Sequence, residues 1–205
     1  MPILPIRSFP LGESLMHGRR ALQYFAVVLF AVTSGQAVPF VVFPKAEQLA
    51  SADGRFVVRN TDREAPLTEL VGTFHFLFLE DTASGYSRKL CDYVGVAAVA
   101  WTDKNSIIVT QYVGKRTSRA LIFAADNTDD PVVIDQPLLT HLISYDLLPH
   151  LQGNDHVFVE ATKVDGETLT LRVWGYGQHD AHGFRLNCEY NLQEGSATCR
   201  EGNRP

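Results

Sequence analysis

Short antiparallel strands recurring about every 50 residues, with one short helix among them, are what this sequence predicts, so the expected fold class is mainly β. Three observations carry that reading. Gly54-Arg55-Phe56-Val57-Val58-Arg59, Asn105-Ser106-Ile107-Ile108-Val109-Thr110 and Asp155-His156-Val157-Phe158-Val159-Glu160 each open on a polar turn and continue as a β-type run. Their first apolar residues, Phe56, Ile107 and Val157, stand 51 and 50 positions apart. Phe184 to Leu192 alternates strictly between apolar and polar residues, the period of a strand that buries one face.

The segment before these runs reads differently. Ala21 to Ser34 carries no charge; Arg19 and Arg20 precede it and Gly35-Gln36-Ala37 follows. A basic region, a short apolar core and a small-x-small site make a secretory signal peptide over residues 1–37, with cleavage after Ala37. As a helix these 14 residues would reach about 21 Å, short of the ~30 Å hydrocarbon core of a bilayer. Met16-His17-Gly18-Arg19-Arg20 would itself start such a signal, so residues 1–15 read as an over-extended gene start. Residues 38–205 are then a single mainly β domain, periplasmic or secreted, with no membrane span after cleavage.

A second strand is expected after each opening, at Phe74–Leu79, Ala120–Ala124 and Leu169–Trp174, and a third at Ser87–Cys91, Val132–Asp135 and Phe184–Leu192. In the first of these, Phe74, Phe76 and Phe78 share one face and His75, Leu77 and Leu79 the other; the phenylalanines are expected to be the buried set. Asp135 is placed to cap a helix near residues 137–148, with Pro137 in its first turn and Pro149 ending it. Such a helix would cover a sheet face or edge.

Cys188 lies on the apolar face of the last long strand, and the Gln193-Glu194-Gly195 turn sends the chain back through Cys199. If Leu192 stands opposite Gly195, Cys188 stands opposite Cys199, with a Cα separation expected at roughly 4.4–6.8 Å. A Cys188–Cys199 disulfide is therefore expected in an oxidising compartment, worth roughly 2–3 kcal/mol, and Cys91 is left over.

A period near 50 made of short antiparallel strands is what propeller blades give. Ser51-Ala52-Asp53-Gly54-Arg55-Phe56-Val57-Val58 resembles the S-x-D-G-(K/R)-φ strand opening of bacterial periplasmic β-propellers of the Tol-associated type, and Val96 to Asp103 looks like the inner strand before a degenerate copy. The resemblance covers about half of residues 38–205 and implies a binding scaffold without naming a ligand. Three degenerate repeats are fewer than the four to eight blades of a closed ring. They imply a partial propeller completed by self-association, or else a twisted antiparallel sheet or β-sandwich.

Removing residues 1–37 takes away three of 18 basic and one of 23 acidic residues, leaving a net charge of −7. Such a surface does not attract phosphate backbones, so nucleic acid is excluded as a partner. The densest polar group is Gly175-Tyr176-Gly177-Gln178-His179-Asp180-Ala181-His182-Gly183, read as a loop whose bounding glycines let it close on a ligand. Tyr176, His179, Asp180 and His182 are its candidate ligand-binding residues. His179, Asp180 and His182 have metal-ligand chemistry, but a third ligand is not identifiable among His75, His141, His150 and His156. The acidic run Asp126–Asp130 lacks the spacing of a helical calcium loop, and Gly114-Lys115 lacks that of a phosphate loop. No cofactor or catalytic motif is present, and none is expected.

The expected function is an exported binding or interaction module for a protein or small-molecule ligand. The alternatives are a hydrolase or metal-dependent enzyme using the 175–183 loop, and a structural envelope component. N-terminal sequencing of protein recovered from the envelope or medium should begin at Val38; an intact Met1 or Met16 terminus on cytoplasmic material would refute export.

Overall fold

A computed structural model describes residues 38–63 and 74–203; the expected signal peptide, residues 1–37, lies outside them. The described strands are β1 (Val41–Phe43), β2 (Gln48–Ala50), β3 (Phe56–Arg63), β4 (Phe74–Asp81), β5 (Ser87–Val94), β6 (Ala97–Trp101), β7 (Ser106–Tyr112), β8 (Thr117–Ala124), β9 (Val132–Ile134), β10 (His156–Asp165), β11 (Thr168–Tyr176), β12 (Phe184–Asn191) and β13 (Ala197–Glu201). Two short helices, α1 (Gln136–Leu142) and α2 (Leu148–Gln152), lie between β9 and β10. Among the described residues no helix is long and apolar enough to cross a membrane.

The turns explain where strands begin. Between β2 and β3, Ser51 Oγ donates to Asp53 Oδ1 (2.6 Å) and accepts from Phe56 N (3.0 Å), while Asp53 Oδ1 accepts from Arg55 N (3.0 Å). Gly54, at φ +72°, supplies the left-handed step that reverses the chain. Between β6 and β7 the same device recurs, with Thr102 Oγ1 accepting from Ser106 N (3.0 Å) and Asn105 at φ +56°. Side chains that bond their own backbone satisfy the polar groups that a reversal leaves unpaired.

The pairings define one four-stranded sheet in the order β2-β3-β4-β5, and one nine-stranded sheet in the order β1-β6-β7-β8-β10-β11-β12-β13 with β9 also on β8. All pairs are antiparallel except β8 with β10, which run parallel over two residues only. That short join lets β10 leave β8 and cross its face: Ser118 Oγ donates to Val159 O (3.1 Å), and Ala161 N donates to Thr110 Oγ1 (2.9 Å).

Two cores result. The first lies between β3–β5 and β6–β8 and holds Phe56, Val58, Leu77, Leu79, Tyr93, Val99, Ile107, Val109 and Phe123. The second lies on the opposite side of β7 and β8, where Ile108 and Ala120 meet Ile134, Leu139 and Leu151 and the inner face of β10–β12 (Val157, Val159, Leu171, Val173, Leu186). Strands β7 and β8 are thus the middle of three tiers.

The single helix expected over residues 137–148 is broken in two. Asp135 caps α1 as expected, its Oδ1 accepting from Leu138 N (3.0 Å). The chain then turns extended at Ile143 and Ser144, forms a single 3-10 turn at Tyr145–Leu147 and re-enters a helix. Pro149 starts α2 rather than ending a helix, because its missing N–H is harmless in a first turn.

The buried face of β4 is the reverse of the one expected. His75, Leu77 and Leu79 are buried, whereas Phe76 and Phe78 are half-exposed; the Phe74 side chain lies outside the described part. Both faces of this strand are apolar, so alternation alone does not choose between them. The neighbours do: Phe78 pairs with Arg59 and Lys89, and Phe76 with Thr61 and Asp92, whereas Leu79 pairs with Val58 and His75 with Tyr93. Charged neighbours must keep water, and Lys89 Nζ sits 4.7 Å from the Phe76 ring centroid. The buried His75 is held by Asp62 (2.6 Å) and stacks on Tyr93 (4.9 Å between centroids). That hydrogen bond is the main cause that holds the Asp62 carboxyl below its ordinary value.

Cys188 and Cys199 form a disulfide and stand directly opposite in the β12–β13 register; their Cα atoms are 4.1 Å apart, just under the expected range. Asn191 Oδ1 accepts from Gln193 N (2.8 Å) and Glu194 N (3.0 Å), which sets the turn that fixes this register. Cys91 lies buried within β5, and desolvation pushes its thiol up to about 12, leaving it unreactive at neutral pH. Leu77→Ala should cost about 2–5 kcal/mol and Phe76→Ala distinctly less, read by reversible denaturant unfolding. Equal or reversed costs would put the other face in the core.

Candidate functional site

Residues 177–183 join β11 to β12, whereas Gly175 and Tyr176, expected in the loop, pair within the sheet as the last residues of β11; the fold divides the four candidate residues between two places. His179 and Asp180 meet α2; Tyr176 and His182 open onto the outer face of the third tier.

Toward α2, buried Asn154 is the hub. Its Nδ2 donates to His150 O (2.9 Å) and Asp180 Oδ2 (2.8 Å), and its Oδ1 accepts from Asp180 N (3.0 Å). His150, in α2, places Nδ1 2.8 Å from Asp180 Oδ2 and Nε2 3.6 Å from Glu201 Oε1, while its ring stacks on Phe184 (5.2 Å). His179 N donates to Gly153 O (3.1 Å), and its ring meets that of His150 edge-on at 5.7 Å. The donor atoms of His150, His179 and Asp180 lie within 4.8 Å of one another.

The glycines here are closely packed: a Cβ on the bounding Gly175 would lie 2.1 Å from His156 O, and the bounding Gly183 takes φ +85°. A Cβ on Gly177 would lie 2.8 Å from both Asn154 Cα and Asn154 Oδ1, and one on Gly153 would lie 2.6 Å from His179 Cβ. Their role is close approach: they let the loop and the end of α2 touch. The loop is therefore held in place before any ligand arrives.

Burial alone would push the Asp180 carboxyl up, but hydrogen bonds from His150 and Asn154 and the nearby His150 and His179 rings outweigh it. The carboxyl is held below its ordinary value of 3.8.

On the outer face, Arg172, Trp174 and Tyr176 project from β11 and Arg185 from β12, and with His182 they line a groove of about 460 Å³. Trp174 stacks on Phe158 (4.1 Å, 14°), and Tyr176 leans on His156 (4.5 Å). Arg172 is spent on Glu160, its Nε donating to Oε2 at 2.8 Å, and Glu160 also accepts from Tyr112. That hydrogen bond, added to desolvation, raises the Tyr112 hydroxyl pKa. Arg185 Nε is buried with no hydrogen-bond partner among the described residues, as is His156 Nδ1.

Sequence reasoning named the loop and missed most of what surrounds it. His150 appeared only among four histidines of unknown place, and Asn154, Arg172, Trp174, Arg185 and Glu201 not at all. The signal for Asn154 was faint: Gly153-Asn154 between two helix- and strand-forming runs marks a turn whose side chain bonds locally. His75 and His156 do not join His179; one pairs with Asp62 and the other lies under Tyr176.

Asp180 gives stability that is fully present above its unfolded pKa and is lost as pH falls through its lower folded value. The stability gap between the native chain and Asp180→Asn should therefore be largest near neutrality and shrink as pH drops below about 4. A gap constant from pH 7 to pH 3 in urea unfolding would remove this role.

No protein-family model, no curated protein and no solved structure matches the chain.

Proposed function

We propose that the chain is an exported binding module whose ligand surface is the groove beside Tyr176 and His182, and that its ligand is a small organic anion carrying an apolar ring. The observation that carries this is the convergence of two aromatic rings with a cationic side chain left unpaired. Trp174 and Tyr176 offer broad apolar faces, and among the described residues the Arg185 guanidinium that lines the groove has no carboxylate partner, in a domain of net charge −7. An anion in the groove pairs with the Arg185 guanidinium, and a ring stacks on the indole or phenol. Export rests on the basic, apolar and small-residue order of residues 19–37, and the Cys188–Cys199 disulfide is compatible with an oxidising compartment.

A hydrolase reading has less support. Neither ring nitrogen of His150 is hydrogen-bonded to a hydroxyl or thiol among the described residues, so the His150–Asp180 pair lacks a nucleophile to activate.

The scaffold is read as three propeller-like repeats: β2–β5, β6–β9 and the meander β10–β13. Support comes from the matching Ser51 and Thr102 turns and from the face-to-face cores on either side of β7. A crystal structure in which successive tiers rotate by unrelated angles would remove that reading.

The anionic ring dye 8-anilinonaphthalene-1-sulfonate is the probe. It should bind the folded chain at one site, and Trp174→Ala and Arg185→Ala should each weaken it about tenfold or more, as loss of a central aromatic or charged contact does. Unchanged binding by both variants in a fluorescence titration would overturn the assignment.

A further inference from the structure

We propose that His150, His179 and Asp180 form a binding site for a single divalent cation of the zinc type, separate from the outer-face groove and independent of the function proposed for it. Two imidazoles and a carboxylate are a zinc-type donor set, and nitrogen donors disfavour calcium and magnesium. The three donor atoms already lie within 4.8 Å of one another, whereas ligands on a tetrahedral zinc stand about 3.3 Å apart at bond lengths of about 2.0–2.1 Å. His179, the exposed member of the set, closes in, and the 2.8 Å between His150 Nδ1 and Asp180 Oδ2 opens by about half an ångström to reach that spacing.

The surroundings have the features of a built site rather than a chance cluster. His150 Nδ1 and Asp180 Oδ2 are 2.8 Å apart, so a cation takes the place of the shared proton. The other ring nitrogen of His150 then carries its hydrogen toward Glu201 Oε1, 3.6 Å away on an exposed side chain. A metal-bound histidine almost always gives its second N–H to a carboxylate or carbonyl in this way. Asn154, buried and hydrogen-bonded to Asp180 through both backbone and side chain, fixes the carboxylate. Gly153 and Gly177 allow the approach that brings His179 and Asp180 to α2. Three protein ligands leave a fourth position of the cation for water or for a ligand atom.

The binding free energy would also tie α2 to the β11–β12 loop, so the cation should raise the unfolding temperature. Untagged, full-length folded chain is titrated with Zn²⁺ alone by calorimetry, with Mg²⁺ as the comparison. One Zn²⁺ per chain should bind, and Mg²⁺ should not bind. His179→Ala, an exposed position whose loss leaves the Asn154 network intact, should weaken Zn²⁺ at least tenfold and abolish the thermal shift. His141→Ala, at an exposed histidine of α1, should leave both unchanged. Absence of saturable one-to-one binding, or equal affinity in His179→Ala and the native chain, would overturn the site. So would an equal loss in His141→Ala, which would mean scattered surface binding.

Discussion

Strand β7 has to satisfy two cores at once, and the order of the tiers depends on how it does so. Residues Ile107 to Gln111 are all buried, yet successive side chains leave a strand on opposite sides. Ile107 and Val109 enter the core shared with β3–β5, while Ile108 enters the core shared with α1, α2 and β10–β12. The two polar residues in this run are matched rather than stranded: Thr110 accepts from Ala161 N, and Gln111 donates to Asp92 O. Each of those bonds reaches a different neighbouring tier. The strand therefore holds both neighbours through directional bonds as well as through apolar area, and a slip of one residue would send every one of these groups to the wrong side.

The site inherits its geometry from that arrangement. Because Val157, Leu171, Val173 and Leu186 are committed to the inner core, the alternate residues Phe158, Arg172, Trp174 and Arg185 must lie on the outer face. The same commitment brings α2 under the end of β11, since Leu139, Leu147 and Leu151 fill the inner core beside these strands. His150, one residue before Leu151, is then carried to the loop. What looks in the sequence like one polar cluster is cut by the plane of the sheet into a groove on one side and a histidine–carboxylate junction on the other.

Asn154 shows how such a junction is kept in register. A buried amide left unpaired costs about as much as a lost hydrogen bond or more, so its three bonds to His150 and Asp180 act as a lock on the loop. The two bonds to Asp180 join segments 26 residues apart, and nothing in the spacing of either segment announces them.

What the sequence determined by itself was local. The Cys188–Cys199 pairing followed from the alternation of one strand and the Gln193-Glu194-Gly195 turn that follows it, because a tight hairpin fixes its own register. The strand openings at Ser51 and Asn105 and the Asp135 cap were legible for the same reason: the side-chain and backbone partners that set them lie within five residues. Only the tertiary structure decided which face of β4 is buried, since both faces are apolar and the choice lies with Arg59, Lys89 and Asp92 on other strands. It also decided that Pro149 begins a helix, because Leu147 and Leu151 had to reach the inner core on either side of it. The meeting of His150 with His179 and Asp180 was likewise beyond the sequence. It depends on where two separately packed elements come to rest, and periodicity along a chain carries no record of that.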